Sequence, residues 1–141
     1  MAAKLHIKLV TPERLLLEKE ADQVTLMTEQ GEITILPGHI PLVANLRAGE
    51  VRVVEGGRTE YLVTSTGFVE VRENGTVTLL ADTAEREEEL DIQKIGEART
   101  RAQETLSGVR KLEDVDYAHA VAALERELAR ERVAMKRKHR K

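Results

Sequence analysis

The chain has 141 residues, no cysteine and no tryptophan, and its formal net charge is −3 at pH 7. The missing cysteines exclude disulfides, thiol nucleophiles and thiolate metal sites, and the length allows one domain or a small domain with an appendage. No apolar run approaches the roughly 20 residues that cross a bilayer. The aromatic side chains Tyr61, Phe68 and Tyr117 are too few to stack single-stranded nucleic acid.

Residues 1–84 are predicted to form an all-β domain. Apolar and polar side chains alternate from Leu5 to Leu9, and Gly56-Gly57 and Asn74-Gly75 are typical hairpin turns. The other predicted strands are 24–28, 33–35, 42–46, 51–54, 59–64, 67–72 and 76–81. No helical pattern separates them, which favours an antiparallel sandwich or barrel over a parallel sheet.

Residues Gly31–Leu42 are the stretch around which we expect the β domain to be organised. A short strand ends at Pro37-Gly38, which predicts a tight bend. Pro41 lacks a backbone donor, so the chain after the bend cannot simply continue as a central strand. We expect a rigid corner that presents His39 and Glu32.

Residues 85–141 are predicted to form a helical hairpin. Glu85–Glu89 are expected to be a charged joint that packs against little. A first helix follows the N-cap candidate Asp91 and stops at Ser107-Gly108, and a second starts near the cap candidate Asp114 and runs to about Lys136. Together they predict an αα-hairpin appended to the β domain.

The second helix carries two opposite stripes. Its apolar stripe consists of Tyr117, Val121, Leu124, Leu128 and Met135, and its cationic stripe of His119, Arg126, Arg130 and Arg137. Small apolar faces bury little area, and isolated helices of this length are marginal in water. We therefore expect a metastable hairpin, which docks on the β domain or opens and lies along another surface.

No catalytic constellation is present, and no metal site or cofactor is predicted. The four histidines are scattered, and no phosphate-binding glycine loop occurs. His6 lies on the polar face of a strand and is expected to be solvated. His39 either braces the corner or lies in a protein interface. The cationic stripe is either a solvated helix face or a surface for an anionic partner, an acidic protein segment or a nucleic acid.

Several motifs, in order along the chain, resemble the epsilon subunit of bacterial F-type ATP synthase. The corner is similar to that family's G-x-x-x-x-x-P-G-H-x-P-L run. The other matching segments are Leu5–Glu13, Gly67–Val71, Val77–Ala84 and Asp114–Ala118. The resemblance covers nearly the whole chain and implies a sandwich of about ten strands followed by a helical hairpin.

The resemblance implies a non-catalytic subunit of the rotating central stalk. In that family the β domain binds the gamma subunit and rests on the c-ring of a proton-translocating enzyme. Glu32 matches an acid near the c-ring loops, and His39 matches a histidine near the gamma contact. The implied location is peripheral, on the cytoplasmic side of the cell (inner) membrane.

The resemblance also gives the hairpin a regulatory role. In the family, the hairpin can extend along gamma toward the catalytic alpha and beta subunits and block ATP hydrolysis. Arg126, Arg130 and Arg137 would then face acidic segments of the beta subunits, where complementary charge selects partner and orientation. The folded-down hairpin permits rotation.

Some family members bind ATP in the folded-down form through an [I/L]-D-x-x-R-A-x-x-A-x-x-R-A pattern and arginines of the last helix. The matching positions here are Leu90, Asp91, Lys94, Arg101, Arg126 and Arg130. Lys94 replaces an arginine and loses the planar fork that grips phosphate oxygens. The implied ATP binding is weak and regulatory, and the alternative is a cationic helix face without a ligand.

Two other functions remain open on the sequence alone. The chain could be a stand-alone adaptor, or a nucleic-acid-binding module that uses its basic C-terminal helix. The last ten residues hold six Lys or Arg and no acid. The overall charge of −3 disfavours nucleic acid, because such binders are usually basic.

Overall fold

The computed structural model describes residues 3–108 and 114–140, with side chains of the second helix described from Tyr117. The strands are β1 (Leu5–Val10), β2 (Leu15–Ala21), β3 (Gln23–Thr28), β4 (Gly31–Ile35), β5 (Leu42–Leu46), β6 (Gly49–Glu55), β7 (Arg58–Thr64), β8 (Gly67–Val71), β9 (Thr76–Ala81) and β10 (Ala84–Arg86). A 3₁₀ turn at Glu87–Glu89 leads to the helices α1 (Ile92–Gly108) and α2 (Asp114–Arg140). This order confirms the predicted fold class. The cap predicted at Asp114 lies outside the described side chains.

The strands form one sheet that folds over its own core. Neighbouring strands follow the order β10-β7-β6-β3-β5-β8-β9-β1-β2, and β4 pairs with β3. Among the described residues, β1 and β9 pair in parallel, and all the other strand pairs are antiparallel. Leu5, Ile7 and Leu9 are at most 1% exposed and point into this core, as their alternation predicts.

Two strands were not predicted from the sequence. In β2, Leu16 and Leu17 are both buried, because a bulge in the pairing with β1 at Leu9 and Val10 breaks the alternation. Strand β10 pairs with β7, and the Arg86 guanidinium donates to the Leu16 carbonyl at 2.8 Å. The prediction that Glu85–Glu89 packs against little is therefore wrong at its start, since the sheet continues to Arg86.

One two-residue turn and one helix cap match the sequence prediction. At the second predicted turn, Asn74-Gly75, the loop has three residues, 73–75, because the Arg72 amide donates to the Thr76 carbonyl. Gly56 and Gly57 both have positive φ, as a two-residue hairpin turn requires, and the turn joins β6 to β7. At the start of α1, the Lys94 amide donates to the Asp91 carboxylate at 3.2 Å.

Among the described residues, no helix has the length and apolarity to cross a bilayer.

The helical hairpin lies against the β domain through α2, which contacts β6 and β7. The helix approaches closely because its buried side chains on that side are small: Ala129 and Val133 pack against Ala48 and Val63. The predicted apolar stripe is wrong in part, since Met135 is 38% exposed. Helix α2 packs against both α1 and the sheet, so its contact surface is not a single stripe.

His6 is on the solvent-accessible polar face of β1, as expected, with its side chain 38% exposed. Its Nε2 lies 2.8 Å from Glu18 and its Nδ1 3.4 Å from Glu20, both across the pair of β1 and β2. Hydrogen bonds to Glu18 and then Glu20 raise the pKa of His6 above its usual value. The imidazolium form therefore stabilises this pair below the unfolded pKa, and the contribution is lost as pH rises through the folded pKa.

Candidate functional site

The corner at residues 36–41 is a well-defined turn. The His39 amide donates to the Leu36 carbonyl at 3.1 Å, and Gly38 has a φ of +87°. These are the features of a type II turn with proline in its second position and glycine in its third. The turn exposes two large apolar side chains, with Leu36 51% and Ile40 73% accessible. Exposed apolar groups on a rigid turn are suited to docking.

The His39 side chain bonds to the backbone at the end of this corner. A carbonyl can only accept, so the His39 Nδ1 donates to the Ile40 carbonyl at 2.6 Å. That bond orients the imidazole ring. When the imidazole is neutral, its other nitrogen, Nε2, is free to accept a hydrogen bond. The His39 side chain thus bonds to the backbone just after the turn, and both its bracing role and its interface role stay predictions.

Glu32 lies on β4 and bonds across the sheet rather than to the corner. Its carboxylate accepts from Arg52 at 2.5 Å, and Arg52 also donates to Glu50 at 2.7 Å. The Glu50 bond is the main cause of a raised Arg52 pKa. Glu32 and His39 therefore have separate partners, and among the described residues no hydrogen bond joins them.

A line of apolar side chains on the outer face of the sheet was not predicted. Phe68 pairs with Leu80, Leu80 with Val10, and Val10 with Leu15, so these four residues cross β8, β9, β1 and β2 in register. Phe68, Leu80 and Leu15 are 55%, 49% and 52% exposed. We call these four residues the apolar row. In the sequence, each of these strands shows one apolar residue at a position that should face outward. These residues can be recognised as a row only when the register between the strands is known.

The hairpin is held to the β domain by a cluster that we call the arginine latch: Glu85, Arg126, Glu127 and Arg130. The Arg130 guanidinium donates to both oxygens of Glu85, at 2.7 and 2.9 Å, and to Glu127 at 2.5 Å. Arg126 donates to the other Glu127 oxygen at 3.0 Å. Burial lowers the pKa of Arg130, but the bonds to Glu85 and Glu127 outweigh it and raise the pKa above its usual value.

The end of α2 makes further contacts with the β domain. Lys136 donates to Glu50 at 3.1 Å, and Arg137 donates to the Glu87 carbonyl at 3.4 Å. Arg140 pairs with the Glu87 carboxylate and lies 3.7 Å above the centre of the Tyr61 ring. The cationic side of the helix therefore faces acidic groups of this same chain in the docked form.

The six residues predicted to bind ATP do not converge in one cavity. Arg126 and Arg130 line a cleft of about 370 Å³ that also holds the carboxylates Glu13, Asp82, Glu85 and Glu127. Leu90 lies in a separate groove beside Arg137. Asp91 caps α1, while Lys94 and Arg101 are exposed along that helix.

Comparisons with known proteins place this geometry in a family. Residues 4–87 match the family model described as ATP synthase, Delta/Epsilon chain, beta-sandwich domain. The ATP synthase epsilon chain of Nitratidesulfovibrio vulgaris is 41% identical over 133 residues, which cover 94% of this chain and 97% of that protein. The epsilon chain of Bacillus cytotoxicus is 42% identical over 124 residues, which cover 88% and 91%.

Solved structures share the fold. A chain of the Euglena gracilis mitochondrial ATP synthase superposes with a TM-score of 0.76 at 23% identity, covering 99% of this chain and 83% of that chain. One from the central stalk and c-ring of the Tetrahymena thermophila enzyme has a TM-score of 0.61 at 14% identity, covering 96% and 97%. The family model spans more than half of the molecule and its relatives align over most of it, so the chain belongs to the family of ATP synthase epsilon chains.

Proposed function

We propose that this chain is the non-catalytic epsilon subunit of the rotating central stalk of a proton-translocating F-type ATP synthase. Its β domain links the gamma subunit to the c-ring, and its hairpin inhibits ATP hydrolysis. The exposed, rigid corner at residues 36–41 carries the proposal. A coupling element must transmit torque without deforming, and this corner is fixed by a glycine turn and by the His39 bond to Ile40.

The β domain has surfaces for two different partners. On the strand that leads into the corner, Glu32 faces the polar loops of the c-ring, and His39 within the corner faces gamma. The apolar row faces gamma, because large outward side chains in register across four strands form a surface that water solvates poorly. The protein is peripheral, on the cytoplasmic side of the inner membrane.

Inhibition uses the same arginines that hold the docked hairpin. Arg126, Arg130 and Arg137 bond to Glu127, Glu85 and the Glu87 carbonyl in the docked form. When the hairpin extends toward the catalytic alpha and beta subunits, Arg130 loses Glu85 and Arg137 loses the Glu87 carbonyl, while Arg126 keeps Glu127 on the same helix. The three cations then meet acidic segments of beta. The two arrangements compete for one set of charges, so anything that binds one arrangement better shifts the population.

The test is removal of residues 90–141, which keeps β10, the 3₁₀ turn and the pairing of Glu89 with Arg14. We expect gamma and the c-ring to copurify as before, while ATP hydrolysis by the soluble complex rises several-fold. A control chain ending at residue 83 lacks β10 and should assemble poorly. An unchanged hydrolysis rate with normal assembly would refute inhibition, and loss of copurification with the longer chain would refute the docking role.

ATP is proposed as a weak regulatory ligand of the docked form, bound near Arg126 and Arg130. The binding is weak because Glu85 and Glu127 already occupy both guanidinium groups. Replacing Glu127 by glutamine removes one competing charge and keeps the shape. We expect calorimetric titration to show ATP binding several-fold tighter in Glu127→Gln than in the natural chain. Glu125→Gln, an equal charge change two residues away, should leave the affinity unchanged, and equal gains in both variants would contradict the proposal.

A further inference from the structure

The segment that leads from the β domain into the hairpin also supplies the acceptors that hold α2. It consists of residues 84–89, which form β10 and the 3₁₀ turn, and we call it the connector. The α2 side chains that reach it are Arg130, Arg137 and Arg140, and their acceptors are Glu85 and Glu87. The docked position of the helix therefore depends on where the connector lies.

Arg14, in the turn between β1 and β2, holds both ends of the connector. Its guanidinium donates to the two carboxylate oxygens of Glu89, at 3.1 and 3.0 Å, and to the Ala84 carbonyl at 3.4 Å. Within the described parts of the chain, Arg14 forms no hydrogen bond or ion pair with α2 from Tyr117 onward. A change at Arg14 thus reaches the helix through the connector.

Side chains, rather than a backbone ladder, place the connector against β2. Strands β10 and β2 are the two ends of the sheet, and among residues 3–108 no backbone pairing joins them. The gap is bridged by Arg14 and by Arg86, which donates to the Leu16 carbonyl at 2.8 Å. A strand of three residues has few ladder bonds of its own, so these bridges matter for its position.

The turn that carries Arg14 is itself well fixed. The Thr11 amide donates to the Arg14 carbonyl at 2.9 Å, and the Arg14 amide donates to the Thr11 hydroxyl at 3.2 Å. A turn closed in this way lowers the entropy lost when its guanidinium binds. The turn runs from Val10 to Leu15 of the apolar row, so the surface proposed for gamma and the support of the hairpin share one turn.

We propose that Arg14 is a positioning residue for hairpin docking, which acts on α2 by holding the connector in place. With the connector held, Glu85 and Glu87 lie where the arginines of the helix meet them. This role rests on the proposed function above, in which the hairpin alternates between a docked and an extended form. It adds a residue outside the hairpin, and about 70 positions before the connector in the chain, to the control of that change.

The sign of the effect separates positioning from direct electrostatics. Arg14 lines the same cleft as Arg126 and Arg130. If charge alone acted, removing the Arg14 cation would relieve repulsion on the two helix arginines, and the hairpin would dock more tightly. Positioning through the connector predicts the opposite, because a connector that moves no longer presents its carboxylates to the helix.

The test measures amide exchange of residues 129–134 in the full chain. We expect exchange about threefold faster in Arg14→Ala, because the Arg14 and Glu89 side chains are 47% and 36% exposed and exposed pairs contribute modestly. Arg72→Ala breaks another exposed ion pair, with Glu70, and should leave the exchange rate unchanged. Exchange of residues 24–28, in the core strand β3, should stay unchanged in both variants.

A double-mutant cycle tests the route of the effect. In an Arg130→Ala background, Arg14→Ala should accelerate exchange by less than about twofold, because the connector has already lost its bidentate bond to the helix. An undiminished effect in that background would show that Arg14 acts independently of the connector and would overturn the proposal. Unchanged or slower exchange in Arg14→Ala alone would also overturn it.

Two further outcomes are decisive. Equal acceleration of residues 24–28 and 129–134 in Arg14→Ala would mean that Arg14 stabilises the whole β domain, which contradicts a positioning role. Acceleration in Arg72→Ala equal to that in Arg14→Ala would assign the effect to general charge. The experiment contains no other subunit, so its failure would leave the hydrolysis result of the truncated chain standing, and failure of that result would leave this one standing.

Discussion

Replacing Gly67 by alanine is expected to destabilise the β domain by at least about 3 kcal/mol. A Cβ at this position would lie 1.9 Å from the Leu80 carbonyl oxygen and 2.8 Å from the Ala81 Cα. Both atoms belong to the backbone of β9, which pairs with β8 and β1, so neither can move without breaking sheet hydrogen bonds. Urea unfolding followed by circular dichroism measures the loss.

Gly96→Ala is the matched control, because it makes the same chemical change in open space. Apart from its chain neighbours and the backbone of its own helix, no described atom lies within 4 Å of a Cβ at Gly96, which is inside α1. Alanine is favoured over glycine within helices by about 1 kcal/mol, so this variant should be neutral or more stable. If Gly67→Ala costs less than about 1 kcal/mol, the close approach of β8 to β9 is looser than the structure shows.

Arg130→Ala is expected to release α2 from the β domain. The change leaves Glu85 without its bidentate partner and the 4% exposed Glu127 with Arg126 alone. Breaking a fully buried ion pair costs about 3–5 kcal/mol. We expect a cost of about 2 kcal/mol here, because the Arg130 side chain is 23% exposed and water screens its charge in part. Amide exchange of residues 129–134 should then accelerate by about 30-fold.

Two further variants show whether the latch or general charge is responsible. Lys138→Ala removes an exposed cation from the same helix and should leave the exchange rate unchanged. Arg130→Lys keeps the charge but not the fork, and an intermediate rate is expected. Equal acceleration in Lys138→Ala and Arg130→Ala would mean that overall helix charge, rather than the Glu85 bond, holds the hairpin.

The sequence predicts those parts of the fold that depend on local pattern. Alternation locates β1, glycine pairs locate the β6–β7 turn, and Asp91 locates the start of α1, as the structure confirms. Strand β2 was missed because consecutive buried leucines do not alternate, and β10 because three residues are too few to show a period.

The candidate site was less predictable, since its contacts join distant parts of the chain. Helical spacing places Arg126 and Arg130 on one side of α2, but it cannot reveal that Glu85, 45 residues from Arg130, accepts from it. The corner at His39 was predictable because proline and glycine act locally. The apolar row was not, since four unremarkable strand positions become one surface only through register.

The parallel pairing of β1 with β9 has a consequence for biosynthesis. His6 aligns with Thr76, so the first strand finds its partner only after about 70 further residues have been made. Until then the β1–β2 hairpin would expose one edge that can capture another nascent chain. Late closure of this kind implies slow folding, and a chain that stops before residue 76 should be a good substrate for chaperones.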